Sequence, residues 1–200
     1  MSYVINEMYV AEVVVEKSRF IGILCPLTSD NDFDLYFSEA KKTFKDARHY
    51  TYALRYHNIE KASDDGEPAN TAGLPLLNLL KTNDFSNTLL IVVRYFGGKK
   101  LGAGRLFRTY VETGVKVINQ ATKYMEIPAF CYEIIVPISD YERVKHYLVK
   151  AEHEIIDNDF SNLDVIITVN VSKANAPMFE SIYNIKSKSE AVLLKEEENE

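Results

Sequence analysis

The chain has 200 residues, enough for one domain or two small ones, and its 46% hydrophobic and 26% charged residues describe an ordinary soluble protein. The net charge of −6 is unevenly spread: residues 1–120 carry 15 Lys+Arg against 14 Asp+Glu, and residues 121–200 carry 8 against 15. This excludes a surface that is basic all over; no apolar run reaches membrane-spanning length, and the two cysteines, Cys25 and Cys131, lack metal-ligand spacing.

From the N-terminus, Met1-Ser2-Tyr3-Val4 lacks the basic and apolar regions of a secretory signal. Both cysteines sit in apolar runs and read as buried thiols, so a reducing, cytoplasmic setting is expected. Tyr9–Glu16 and Ser18–Pro26, rich in Val, Ile and Phe, predict an antiparallel pair. From Asp32 the apolar residues Phe33, Tyr36, Phe37, Ala40 and Phe44 fall at helical spacing, with Asp30 or Asn31 as the cap. His49–His57 alternates. Tyr50, Tyr52, Leu54 and Tyr56 share one face, and His49, Thr51, Ala53, Arg55 and His57 the other, a candidate solvated face.

Ser63-Asp64-Asp65-Gly66-Glu67-Pro68 reads as a loop, followed by a short helix from Pro75 to Leu80. Thr88–Tyr95 reads as a central strand buried on both faces. The helix after it places Leu106, Tyr110, Gly114 and Val117 on one stripe and Arg105, Arg108, Glu112 and Lys116 on another. A boundary near 121–126 separates a first domain (1–122) from a second (127–195). In the second, strand 127–136, helix 140–152, strands 154–160 and 163–171, helix 177–186 and a last strand near 191–194 give the split βαβ order of a ferredoxin-like domain. The charged tail from Lys195 to Glu200 reads as disordered.

No acidic residue lies between Asp84 and Glu112, and Arg94-Tyr95-Phe96-Gly97-Gly98-Lys99-Lys100-Leu101-Gly102-Ala103-Gly104-Arg105 sits in the middle of that stretch. A strand feeding a glycine-rich cationic turn onto a helix start is a recurrent way to hold anions. The loop is neither a Walker A loop nor a dinucleotide fingerprint, because the spacings differ. Its cations Arg94, Lys99, Lys100, Arg105 and Arg108 either grip phosphate or an acidic surface, or stay solvated around a tight turn with Gly97, Gly98, Gly102 and Gly104. Asp64, Asp65 and Glu67, with His49, form a possible acidic site, equally readable as turn chemistry. No nucleophile, catalytic residue, metal set or cofactor motif is identifiable.

Ser63-Asp-Asp-Gly-Glu-Pro-Ala-Asn-Thr-Ala-Gly73-Leu-Pro75 followed by Val92-Val-Arg-Tyr-Phe-Gly-Gly-Lys-Lys-Leu-Gly102-Ala-Gly104 resembles the paired motifs of the Impact/YigZ family. Lys17-Ser18-Arg19-Phe20-Ile21-Gly22 and His49 in Ala-Arg-His-Tyr-Thr-Tyr-Ala match it too. Arg105 stands where the family usually has a third loop glycine, and Asn70 replaces a frequent glycine. The resemblance implies an α+β protein of two domains. The first is a ribosomal-protein/elongation-factor type sheet with two helices packed on one side. The second is ferredoxin-like, as in the last domain of elongation factor G. It also implies translation-related regulation, since eukaryotic relatives bind an activator of a stress kinase.

Three readings follow. The first is a non-catalytic protein engaging RNA or the ribosome through the basic loop, with no membrane role. The second is a protein–protein regulator whose same loop meets an acidic partner. The third is an enzyme on a phosphate ligand, with Asp64, Asp65 and Glu67 holding Mg²⁺. The third gains if the acidic and glycine loops face one concave pocket.

Overall fold

In the computed structural model, which describes residues 2–197, the apolar run at Thr88–Tyr95 (β6) is the middle strand of a five-stranded antiparallel sheet. Tyr9–Val15 (β2) and Ser18–Pro26 (β3) flank it on one side, His49–Tyr56 (β4) and Ile59–Ser63 (β5) on the other, in the order β2-β3-β6-β4-β5. The β2–β3 hairpin closes through Glu16 and Lys17, both at positive φ (48° and 64°), the geometry that two-residue hairpin loops require. A two-residue strand, Tyr3–Val4 (β1), pairs with Met125 and Tyr124.

Alternation along β6 sends its side chains two ways. Leu89, Ile91 and Val93 pack with Ile21 and Ile23 against Phe33, Tyr36 and Phe37 of helix Asp32–Thr43 (α1). Leu90 and Val92 pack with Phe20, Leu24 and Ala53 against helices Gly73–Thr82 (α2) and Ala103–Ile118 (α3). Two helices therefore share one face, as the resemblance implies, and α1 covers the other. The stripe Leu106, Tyr110, Gly114 and Val117 is buried, while Arg105, Arg108, Glu112 and Lys116 are exposed. The face of β4 expected to meet solvent is instead core at Thr51 and Ala53, because α2 lies over it. β5 escapes sequence reading because it is short and exposed, with no alternation of apolar and polar residues, as suits an edge strand.

The chain divides into two compact units, the first comprising the residues up to Met125 together with Glu196 and Glu197, and the second spanning Glu126–Lys195. The second contains most of Tyr124–Pro137 (β7), Tyr141–Lys150 (α4), Glu154–Phe160 (β8), Asp164–Ser172 (β9), Ala176–Ile182 (α5) and most of Ile185–Glu196 (β10). Its strands lie in the order β10-β7-β9-β8, the ferredoxin-like arrangement. Tyr132, Ile134 and Val136 alternate into its core beside Val165, Ile167 and Val169, covered by Leu148 and Phe179. The last helix is shorter and the last strand longer than expected, since the Lys-Ser alternation after Ile185 hides an exposed edge strand. Lys195 and Glu196, expected to be disordered, belong to that strand; residues 198–200 lie outside the described residues. Cys25 is buried, which pushes its thiol up to about 12, and Cys131 is only half-buried. Among the described residues no helix is long and apolar enough to cross a membrane.

The start of α1 departs from expectation in one detail. Asn31 makes no capping side-chain bond. Instead the Asp32 carboxylate accepts the N–H groups of Thr28 (2.6 Å) and Ser29 (2.9 Å) and the hydroxyls of both. These bonds, the Ser29 hydroxyl foremost, hold its acid constant at about 2, below the ordinary 3.8. A carboxyl depressed on folding contributes stability above its unfolded value and loses it as pH falls through the folded one. Urea titrations of Asp32→Asn should therefore show a lower midpoint than wild type at neutral pH, with the gap closing between about 3.8 and about 2. A gap independent of pH would contradict the assignment.

Candidate functional site

Arg94 shares the parity of Leu90 and Val92, so the strand delivers its side chain to the α2/α3 face and not to solvent. Its cross-strand neighbours are Phe20 on β3 and His49 on β4. The side chain is 7% exposed, and its Nη1 donates to Glu67 Oε1 at 2.6 Å. The same carboxylate oxygen accepts the Tyr110 hydroxyl at 2.8 Å and lies 3.8 Å from His49 Nε2. Burial and the adjacent Glu67 push the Tyr110 hydroxyl far above its usual range, so it remains a donor. The guanidinium carbon sits 5.2 Å from the Phe20 ring centre and 5.7 Å from that of Phe96. Its Nε is buried with no hydrogen-bond partner among the described residues. Orphaned buried donors are uncommon and costly, and each calls for an acceptor such as a water, an ion or a ligand.

The acidic turn is divided by role. Asp64 accepts the N–H groups of Asn70 (2.8 Å), Ala72 (2.9 Å) and Gly73 (2.8 Å), so it caps the start of α2 from a distance. Asp65 accepts the Tyr50 N–H at 2.6 Å, and its carbonyl accepts His49 Nδ1–H at 2.8 Å, which fixes the proton on that nitrogen. Asn70, with φ 59°, takes the left-handed geometry a glycine would fill. Of the possible acidic site, Glu67 and His49 come together, while Asp64 and Asp65 are spent on backbone. Among the described residues no group of three or more His, Cys, Asp or Glu is arranged to hold a metal.

The glycine loop is anchored to the β2–β3 hairpin. Gly97 donates its N–H to Ser18 Oγ at 3.0 Å, and a Cβ there would stand 2.2 Å from the Lys17 carbonyl carbon, so only glycine permits this approach. Glu16, in the hairpin turn, pairs with Lys99 (3.3 Å) and Arg105 (3.0 Å). Lys99 first, then Arg105, draws the Glu16 carboxyl below its usual range. The loop's cations thus do not stand outward as one cluster. Arg94 is inside, Lys99 and Arg105 are paired, and Lys100 and Arg108 are exposed without an ion pair among the described residues. Gly98 and Gly102 take positive φ (88° and 76°), whereas Gly104 lies in the first turn of α3.

Between the two loops lies a cleft of about 370 Å³. Arg48, His49 and Gly66–Pro68 line one side, Arg94 and Phe96 the interior, and Lys100–Ala103 with Leu106 the other. The acidic and glycine loops therefore do face one pocket. Helix α3 opens onto it from Gly102, with no capping side chain and no acidic residue in its first turn. Its first N–H groups and the positive end of its dipole are thus uncompensated. Sequence reading had no signal for Arg48 or Glu16 and placed Tyr110 only on an apolar stripe; all three act through non-local contacts. The burial of Arg94 was signalled by its parity in β6.

A family model described as the Impact N-terminal domain matches residues 16–118. The IMPACT family member YvyE of Bacillus subtilis (strain 168) is 33% identical over 175 residues, covering 84% of this chain and 76% of the relative. The IMPACT family member YigZ of Escherichia coli (strain K12) is 28% identical over 151 residues, covering 73% and 74%. A crystal structure of a hypothetical protein superposes with a TM-score of 0.64 at 24% identity, across 92% of this chain and 95% of that one, which shows a common fold.

Removing one member of a buried charge pair strands the other. Glu67→Ala should destabilise the protein by about 3–5 kcal/mol, and Glu67→Gln, which keeps an acceptor for Tyr110 and Arg94, by clearly less. Urea unfolding followed by circular dichroism measures both. Equal, small losses would mean that the pair does not organise this region.

Proposed function

This chain belongs to the IMPACT family, and on that premise we propose a non-catalytic RNA-binding protein with a translation-related regulatory role, engaging RNA through the first unit. One observation carries the reading: the cleft at the bare N-terminus of α3, where Arg48 and Lys100 have no carboxylate partner among the described residues. Lys100 and Arg108 extend this positive character along the exposed side of the loop and helix. The exposed rings of Phe96 (39%) and Phe107 (44%) stand in the same stretch and offer stacking surface to unpaired bases. A protein partner with an acidic surface would meet the same cations.

The enzyme reading keeps its shared cleft but loses its metal ligands. Asp64 and Asp65 already accept backbone N–H bonds, leaving Glu67, itself bound to Arg94 and Tyr110.

Affinity for a single-stranded RNA, followed by fluorescence anisotropy across a salt series, tests the proposal. Neutralising Lys100 and Arg108 should reduce the salt slope by about one unit per lost phosphate contact. Lys99→Ala should change it less than either of these, because Lys99 is already paired with Glu16, which it shares with Arg105. Glu16→Ala should do the opposite, freeing Lys99 and Arg105 and steepening the slope. A salt-insensitive affinity, or Lys100→Glu with Arg108→Glu binding as well as wild type, would contradict RNA engagement here. A partner captured from lysate that survives nuclease digestion would instead favour a protein ligand.

A further inference from the structure

Exposed cations explain attraction to a nucleic-acid backbone, but they do not explain the interior of the cleft. Arg94 lines it while 95% buried, and of the five N–H donors of a guanidinium its Nε–H has no partner although it is shut away from solvent. Such a donor costs free energy, and with only Nη1 engaged by an acceptor among the described residues the guanidinium keeps donors unused beside the cleft. Three further features surround the same space. Arg48 and Lys100 stand exposed at its edge, the first N–H groups of α3 open on it without a cap, and Glu67 holds Arg94 in place. The lining thus carries three cations against one carboxylate, a balance suited to a dianion.

Geometry narrows the ligand further. A phosphodiester inside a polynucleotide carries chain on both sides, so it can lie along the exposed loop but cannot be pushed end-on toward a nearly buried arginine. A phosphate monoester has three free oxygens and a single attachment, so it can enter a concave site and still reach several donors at once.

Resting on the RNA-binding reading and sharpening it, we propose that the cleft between the Gly66–Pro68 turn and the Lys100–Ala103 loop is a receptor for a terminal phosphate monoester. Arg94 and the N-terminal N–H groups of α3 meet its oxygens, and Arg48 and Lys100 close around its charge. The monoester is either the phosphorylated end of an RNA or a free nucleotide, two sources of one chemistry.

The test uses the whole chain with inorganic phosphate, adenosine 5′-monophosphate and adenosine, and with one short oligoribonucleotide carrying either a 5′-phosphate or a 5′-hydroxyl. The monophosphate should bind where adenosine does not, and the 5′-phosphorylated strand should bind about tenfold more tightly than its hydroxyl twin. Since Arg94 variants also break the Glu67 pair and need not fold, Ala103→Asp provides the second arm. A carboxylate at the start of α3 suits the helix but occupies the anion's place, so this variant should stay folded and lose the preference for phosphate. Monophosphate binding without affinity for either strand supports the receptor, assigns it to free nucleotides and overturns RNA binding. Equal affinity for the two strands with no effect of phosphate or monophosphate overturns the receptor and leaves RNA binding standing. A chain that binds none of these probes overturns both. Preference for phosphate that survives Ala103→Asp also overturns the proposed location.

Discussion

The first unit is arranged around one buried ion pair. Placing Arg94 and Glu67 away from water costs several kcal/mol per charge before their attraction is counted, so the pair is poor evidence of added stability. What it does supply is position. Arg94 comes from the end of the central strand, Glu67 from the turn after β5, and Tyr110 from the second turn of α3, and all three meet at one carboxylate oxygen. Three chain segments far apart in sequence are thereby held at fixed separation, and the space between two of them is the cleft.

The surroundings of the pair follow from that constraint. The turn must present Glu67 inward, and its neighbours Asp64 and Asp65 secure it from behind by accepting N–H groups from the start of α2 and from β4. On the far side, Gly97 lets the glycine loop close onto the β2–β3 hairpin, which brings Glu16 to Lys99 and Arg105. Two of the loop's cations share the Glu16 carboxylate at the hairpin end, which offsets one of their two charges. Arg48 and Lys100 beside the cleft have no carboxylate partner among the described residues. A loop that looks uniformly basic in sequence is therefore divided in space, with Arg94 inside, Lys99 and Arg105 sharing Glu16, and Lys100 beside the uncapped end of α3.

Much of the fold was legible because alternation and helical spacing are local signals. The continuous apolar run at Leu89–Val93 announced a strand covered on both faces, and the Leu106–Val117 stripe announced the buried side of α3. Edge strands with polar exposed residues, such as Ile59–Ser63 and the start of Ile185–Glu196, carry no such signal. The site was legible only in part. The glycine loop, the acidic turn and His49 were found from composition, but their roles depend on pairings across 27 and 43 residues (Arg94 and Tyr110 with Glu67) and across 83 and 89 (Lys99 and Arg105 with Glu16). Charge counting along the chain treats Arg94 and Lys100 alike; the pleat of the strand separates them.

An anion that enters the cleft must meet Arg94 and the start of α3. Amide and guanidinium nitrogen–proton spectra recorded during a titration with adenosine 5′-monophosphate test this most directly. Saturable shifts should concentrate at the Ala103, Gly104 and Arg105 amides and at the Arg94 Nε–H. Shifts confined to other surfaces, with these four signals unmoved at saturation, would contradict this.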